Sequence, residues 1–179
     1  MNETYKVQVQ GLVDDLKAVF THAGLGGEAG EYKLLTQSFL YKFLNDKFLY
    51  QAKMLDESNT YENLLAMSEE DYDWLLEDIG TSTAWLKPDQ LIETLHRQQN
   101  EPNFYETFEN TLNQIAIDNN DIFSVHTDGD TAIRLFDERL ITDTISDSSK
   151  RNEVAKAIIN LLARVKFDET IFSQGFDFF

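Results

Sequence analysis

The stretch of sequence that decides the fold runs from Gly27 to Phe48 and reads GEAGEYKLLTQSFLYKFLNDKF. Its large apolar side chains recur at helical spacing on two sides of one helix. One seam holds Tyr32, Leu35, Phe39, Phe43 and, just past the quoted stretch, Tyr50; the other holds Leu34, Tyr41, Leu44 and Phe48. A helix that is apolar on two faces is normally surrounded by other helices. The pattern therefore predicts the central helix of a helical bundle.

The segments on either side predict further helices. The N-terminal segment spaces its apolar residues by three and four, at Tyr5, Val9, Leu12, Val13, Leu16, Val19 and Phe20. Glycines between positions 24 and 30 then predict a turn. Near the C-terminus another apolar stripe consists of Val154, Ile158, Leu161, Leu162 and Val165. The expected fold class is mainly α.

Several residues predict where helices begin and end. The expected helix starts and stops are Ser68 with Asp71, Gly80, Pro88, Asn103 with Glu106, and Ser148 or Ser149. Asp128-Gly129 lies between two β-leaning runs, which predicts a small β-hairpin near 122–136. A helix that begins near Thr131 is the alternative for this stretch.

Composition and charge exclude several classes of protein. The chain has 179 residues, 32 acids against 15 bases, a net charge of −17 and no cysteine. Such acidity argues against autonomous binding to nucleic acid, since phosphate contacts need Lys and Arg. The absence of cysteine removes disulfides and thiolate sites. No signal peptide or membrane-length apolar run is evident, so we expect a cytoplasmic protein without a membrane partner.

No motif for catalysis or metal binding stands out. His22, His96 and His126 are far apart in sequence, and the acids of SEEDYDWLLED lack the spacing of a calcium loop. GLGG at 24–27 lacks the Lys-Ser/Thr of a phosphate-binding loop. A structural or surface role is favoured for each of these groups. We therefore predict no catalytic, cofactor-binding or metal-binding residues in this segment.

Charge is unevenly distributed along the chain. The segment from Asp56 to Asp78 contains nine acids and no base. The segment from Ser148 to Lys166 contains five bases and one acid, and from it we predict Lys150, Arg151 and Lys156 as residues close to DNA. The alternative for this segment is a surface helix that balances the acidic region.

The opening stretch resembles the helix near the start of the methyltransferase subunit of type I restriction-modification systems. The matching residues are Glu31, Tyr32, Lys33, Phe39, Leu40, Lys42, Phe43, Asp46, Lys47 and Phe48. LVDDLKAVF (12–20) is similar to the first helix of that family. IINLLARVKFDE (158–169) and FDFF (176–179) resemble the stretch that leads into the family's catalytic domain.

The resemblance implies a function for the parent protein. Full-length members of the family transfer a methyl group from S-adenosylmethionine to adenine N6 in DNA. They act in a complex with a specificity subunit, a second methyltransferase subunit and, for cleavage, a restriction subunit. Their N-terminal helical domain precedes a Rossmann-like catalytic domain and helps to close the assembly around DNA.

The chain departs from the family pattern at the catalytic motifs. Its two prolines, Pro88 and Pro102, are not adjacent, so the Asn/Asp-Pro-Pro-Phe/Tyr motif is absent, as is the glycine-rich cofactor turn. Adenine methylation needs both pieces. We therefore expect residues 1–179 to be a single helical N-terminal domain that is not an enzyme by itself. The catalytic domain expected after residue 179 is absent, and S-adenosylmethionine is the cofactor of the parent alone.

Two other functions compete with this interpretation. An acidic helical interaction protein that mimics DNA would account for the net charge and the interspersed aromatic residues, although the basic segment at 150–166 argues against it. An enzyme with an unrecognised carboxylate site is the third alternative, and no residue pattern favours it.

Overall fold

The structure is a computed structural model that describes residues 3–123, 135–167 and 169–173. Within those ranges the chain is mainly helical, as predicted. The helices are α1 Glu3–His22, α2 Ala29–Leu55, α3 Tyr61–Ala66, α4 Glu69–Ile79, α5 Ile92–Arg97, α6 Phe104–Asp118, α7 Asn120–Phe123, α8 Leu140–Thr144, α9 Ser148–Arg164 and α10 Thr170–Ser173, with a 3₁₀ turn at Pro88–Gln90. The predicted hairpin near 122–136 has its turn outside the described residues, and its first two residues belong to α7.

Helix α2 lies in the middle of the bundle. It packs against α1, α4, α8 and α9. Every residue from Ser38 to Asn45 is buried, so no face of this part of the helix meets solvent. The prediction from the two apolar seams is confirmed, with one correction. Tyr32 is 71 % exposed because it lies in the first turn of α2, ahead of Leu34, the first buried residue of the helix.

Helix α9 is the second organising element. It packs against α1, α5, α6 and α8, and its buried stripe includes Val154, Ile158 and Leu162 as predicted. On α1 the buried residues are Tyr5, Leu12, Leu16 and Phe20. These side chains join those of α2 in one hydrophobic core.

The predicted helix boundaries are confirmed at α4 and at the 3₁₀ turn. Ser68 Oγ accepts a hydrogen bond from the Asp71 N–H at 3.1 Å, and this bond satisfies a free amide of the first turn of α4. Gly80 ends the helix with φ of 61°, a conformation that favours glycine. Pro88 begins the 3₁₀ turn that leads into α5.

The predicted start of α6 is confirmed, because Asn103 is its N-cap residue, but the expected capping bond is absent; the predicted cap of α9 is wrong. Asn103 adopts a left-handed conformation with φ of 58° and makes no cap hydrogen bond, while Asn152 Oδ1 accepts from the Tyr105 N–H at 3.0 Å. At α9 the cap is one residue earlier than predicted. Asp147 accepts from the Ser149 N–H at 3.0 Å and from the Ser149 hydroxyl at 2.7 Å, and these bonds lower the pKa of Asp147.

Helix α8 is held at both ends by charged side chains from its neighbours. At its N-terminal end the buried Glu109 carboxylate accepts hydrogen bonds from the N–H groups of Ile141 and Thr142, each at 3.0 Å. At its C-terminal end Arg151 Nε donates to the Ile145 carbonyl at 2.8 Å. A five-residue helix is too short to be stable alone, so these side chains fix its position.

Candidate functional site

The three predicted DNA-proximal residues do not form one continuous surface. Lys150 and Lys156 lie on α9 about 120° apart around the helix axis, at 100° per residue. Glu153 lies between them, three residues from each, and is exposed. Lys150 is exposed and Lys156 is half-buried. The two lysines therefore flank a carboxylate, which weakens the field that they present to an anion.

Arg151 has a structural role. Besides its bond to Ile145, its Nη2 donates to the Thr142 carbonyl at 3.4 Å, and its guanidinium lies 5.6 Å from the ring centre of Tyr105. These contacts use the planar donor fork of arginine to cap α8. Sequence reasoning grouped Arg151 with the lysines by charge alone, because the carbonyls that it binds become neighbours only in the fold.

The other two bases of the segment, Arg164 and Lys166, were not among the predicted DNA-proximal residues. Arg164 pairs with Asp15 of α1 at 3.6 Å. Lys166 lies past the end of α9, and its carbonyl accepts from Gln8 Nε2 at 2.7 Å. Of the three predicted residues, Lys150 and Lys156 are the side chains best placed to contact a phosphate, since Arg151 binds the end of α8.

A cleft of about 520 Å³ opens beside the middle of α2. Its walls come from α2, the start of α3, α5, the end of α9 and the segment that follows α9. The aromatic residues Tyr50, Tyr61, Phe167 and Phe172 line it together with aliphatic side chains. Eight charged side chains also line it, four basic and four acidic, so this open cleft is more polar than the usual small-molecule site.

Lys42 and Asp46 form a buried ion pair in the wall of this cleft. Lys42 Nζ lies 3.0 Å from Asp46 Oδ2, and the side chains are 5 % and 16 % exposed. Lys42 Nζ also lies 5.6 Å from the ring centre of Phe167. Asp46 accepts further hydrogen bonds from Asn45 Nδ2, at 3.0 Å, and from the Phe167 N–H. A buried charge persists only when it is paired and hydrogen-bonded, and both conditions hold here.

Burial dominates the protonation of Asp46. Desolvation raises the pKa of this carboxyl, while Lys42 and the hydrogen bonds lower it by less, so its pKa lies above the ordinary aspartate value. Sequence reasoning did not single out this pair. The signal was available, because a Lys and an Asp four residues apart on a helix that is buried on all sides must meet away from water.

The charges around the cleft balance one another. At its mouth Arg97 stacks on Tyr61, 4.9 Å from the ring centre, and pairs with Glu62 and Glu93. Lys53 lies 3.9 Å from Glu169. The lining therefore has no large net charge, although the protein as a whole is strongly acidic. Such a cleft suits an amphipathic segment of a partner better than a polyanion.

The acids of α4 form a separate, exposed surface. Glu69, Glu70, Asp71, Asp73, Glu77 and Asp78 all face solvent. Within the described ranges none of them takes part in an ion pair. The described residues also contain no group of three or more His, Asp or Glu side chains that could hold a metal ion.

Comparison with protein-family models, curated proteins and solved structures found no match for this chain. Among the helices of the described ranges, none is both long enough and apolar enough to cross a membrane.

Proposed function

We propose that this chain is a helical assembly domain of the methyltransferase subunit of a type I restriction-modification system. In this role it binds partner subunits and helps to close the complex around DNA, while methyl transfer to adenine N6 from S-adenosylmethionine belongs to the catalytic domain of the parent. The partners are the specificity subunit, a second methyltransferase subunit and the restriction subunit.

One observation carries the proposal. Residues on which the family resemblance rests meet at the centre of the fold: Phe43 and Phe48 are in the core, and Lys42 with Asp46 forms the buried pair beside the cleft. The motif thus builds the scaffold and part of the wall of the cleft. A shared motif with this role favours a domain that binds over one that carries out chemistry.

The proposed contact with DNA involves fewer residues than the five bases of the segment suggest. With Arg151 bound to α8 and Arg164 paired with Asp15, Lys150 and Lys156 are the proposed phosphate contacts. The net charge of −17 opposes binding by the isolated chain. We therefore expect contact with DNA only inside the complex, where other subunits supply most of the attraction.

The test replaces Lys150 and Lys156 by Glu in the intact methyltransferase complex. Arg151 is kept, because its replacement would release α8. If each lysine neutralises one phosphate, the slope of log affinity against log salt becomes shallower by about 1.8, at about 0.9 per contact. The matched control, Lys6→Glu with Lys17→Glu, changes the charge equally on α1. Equal DNA affinity and salt slope in the two variants would refute the DNA contact.

The exposed acids of α4 favour a second candidate function, that of a DNA mimic. A mimic would occupy the DNA site of another protein, and its binding would weaken steeply with salt. The isolated chain, added to the assembled methyltransferase complex with a labelled duplex, separates the two functions. A mimic displaces the duplex from the complex, whereas an assembly domain leaves it bound.

A further inference from the structure

Helix α4 presents an aromatic side chain to solvent from a rigid support. Its inner face is buried through Tyr72, Leu75, Leu76 and Ile79, and Tyr72 stacks on Phe48 of the core. The Tyr72 hydroxyl donates to the Leu86 carbonyl. Trp74 lies on the opposite face and is 60 % exposed. A well-anchored helix therefore presents a large apolar side chain to solvent.

Four carboxylates surround Trp74 on the helix surface. Glu70 and Asp71 lie one turn before it, and Glu77 and Asp78 lie one turn after it, at the three- and four-residue spacings that make neighbours on a helix. All four are exposed, and within the described part of the chain none takes part in an ion pair. The apolar centre therefore has a uniformly acidic rim.

The acids at the C-terminal end of α4 do not stabilise the helix. Glu77 and Asp78 lie in its last turn, where the helix dipole is negative and favours Lys or Arg, and no base is present there. Glu70 and Asp71, in the first turn, are favourable. The C-terminal end of α4 therefore breaks a local rule of helix stability, as is expected where a surface serves binding.

We propose that the outer face of α4, with Trp74 at its centre and Glu70, Asp71, Glu77 and Asp78 around it, docks onto a basic surface of a partner protein. The partner presents an apolar face to the indole, flanked by Lys and Arg. Tryptophan is the residue type most enriched at the energetic centres of interfaces, and complementary rim charges select and orient the partner. Nucleic acid and a second copy of this acidic chain are both disfavoured by repulsion.

The inference holds for either function proposed above, because it specifies a surface and the chemistry of its partner. It fails separately from the assembly function, since DNA binding and methylation by the intact complex do not report on α4.

The test measures binding of a fluorescently labelled helical peptide of about 16 residues, with Lys and Leu at helical spacing and no Trp. Fluorescence anisotropy gives its affinity for the wild-type chain in low salt. Trp74→Ala is expected to weaken binding about 30-fold, the loss typical of a central interface tryptophan. Neutralising the rim with Glu70→Gln, Asp71→Asn, Glu77→Gln and Asp78→Asn is expected to weaken it about tenfold.

The matched control neutralises four exposed acids on other elements, with Asp14→Asn, Glu28→Gln, Glu101→Gln and Glu138→Gln. It has the same net charge as the rim variant, and its affinity is expected to stay within about twofold of wild type. Circular dichroism confirms that each variant is folded.

Trp74 also reports its own environment. Trp85→Phe leaves Trp74 as the single tryptophan, because the chain contains two. Binding of the peptide is then expected to shift the emission of Trp74 to shorter wavelength, as the indole leaves water. Equal affinity of wild type and Trp74→Ala, an equal loss in the control variant, no saturable peptide binding, or preference for duplex DNA over the peptide would each overturn the proposal.

Discussion

Replacing Lys42 by Met removes one member of a buried ion pair and keeps most of the volume of its side chain. Asp46, which is 16 % exposed in the wild-type protein, then loses its ammonium partner at 3.0 Å. Loss of one partner from a buried pair typically costs about 3–5 kcal/mol, because the other charge is left uncompensated. Asp46 keeps its hydrogen bonds from Asn45 and Phe167, so we expect the lower end of that range, about 3 kcal/mol at pH 7.

The cost should depend on pH in a definite direction. Since the pKa of Asp46 is raised in the folded protein, the folded state holds this proton more tightly than the unfolded chain does. The contribution of this carboxyl to stability is therefore fully present below its unfolded pKa and is lost as the pH rises through its folded pKa. Without Lys42 the folded pKa rises further. The difference in stability between Lys42→Met and wild type should thus be largest near neutral pH and shrink as the pH falls.

Urea denaturation, followed by circular dichroism at pH 7 and at about pH 5, measures both effects. Lys33→Met is the matched control, because Lys33 forms an exposed pair with Asp137 at 3.4 Å, and its loss should cost under about 1 kcal/mol. The double variant Lys42→Met with Asp46→Leu should recover most of the stability, since neither charge remains. A cost for Lys42→Met no larger than that of the control, or one that does not change with pH, would refute the reasoning.

Three further changes test other parts of the fold by the same urea assay. Asn119→Ala removes a buried amide that accepts from the Trp85 N–H at 2.7 Å and donates to its carbonyl at 2.9 Å, so we expect a loss of about 2–3 kcal/mol; a loss under about 1 kcal/mol would contradict this role. Glu109→Ala leaves two amides at the start of α8 without an acceptor and should cost about 2–4 kcal/mol, whereas unchanged stability would mean that water replaces the carboxylate. Gly80→Ala forces a side chain into φ of 61° and should cost about 1–2 kcal/mol; a gain in stability would show that the turn relaxes.

The sequence was most informative about α2. Two apolar seams can be read directly from residue spacing, and burial of every residue from 38 to 45 agrees with them. Tyr32 shows where this reasoning stops, because periodicity does not show where a helix enters the bundle. Helix caps are likewise predictable from sequence only where the contact is local. Ser68 caps its own helix through a local contact, whereas the amide near Asn103 is bound by Asn152, which is distant in sequence.

The candidate sites were harder to predict than the fold. Charge counting found the basic segment, but the contact of Arg151 with the end of α8 depends on tertiary packing. The ion pair between Lys42 and Asp46 could have been predicted, because it depends on local spacing and on the expected burial of α2. The residues were noted for their match to a family motif, and the burial that brings them together was not combined with their spacing.

The most direct test of the proposed function is to express this chain together with the specificity subunit and the catalytic region of a type I methyltransferase from the same source, and to measure both co-elution and methyl transfer. We predict that one complex contains all of the components and transfers methyl groups from S-adenosylmethionine to adenine N6, and that omission of this chain abolishes its assembly. A chain that elutes alone, while the other components assemble and methylate DNA equally well without it, would contradict the account.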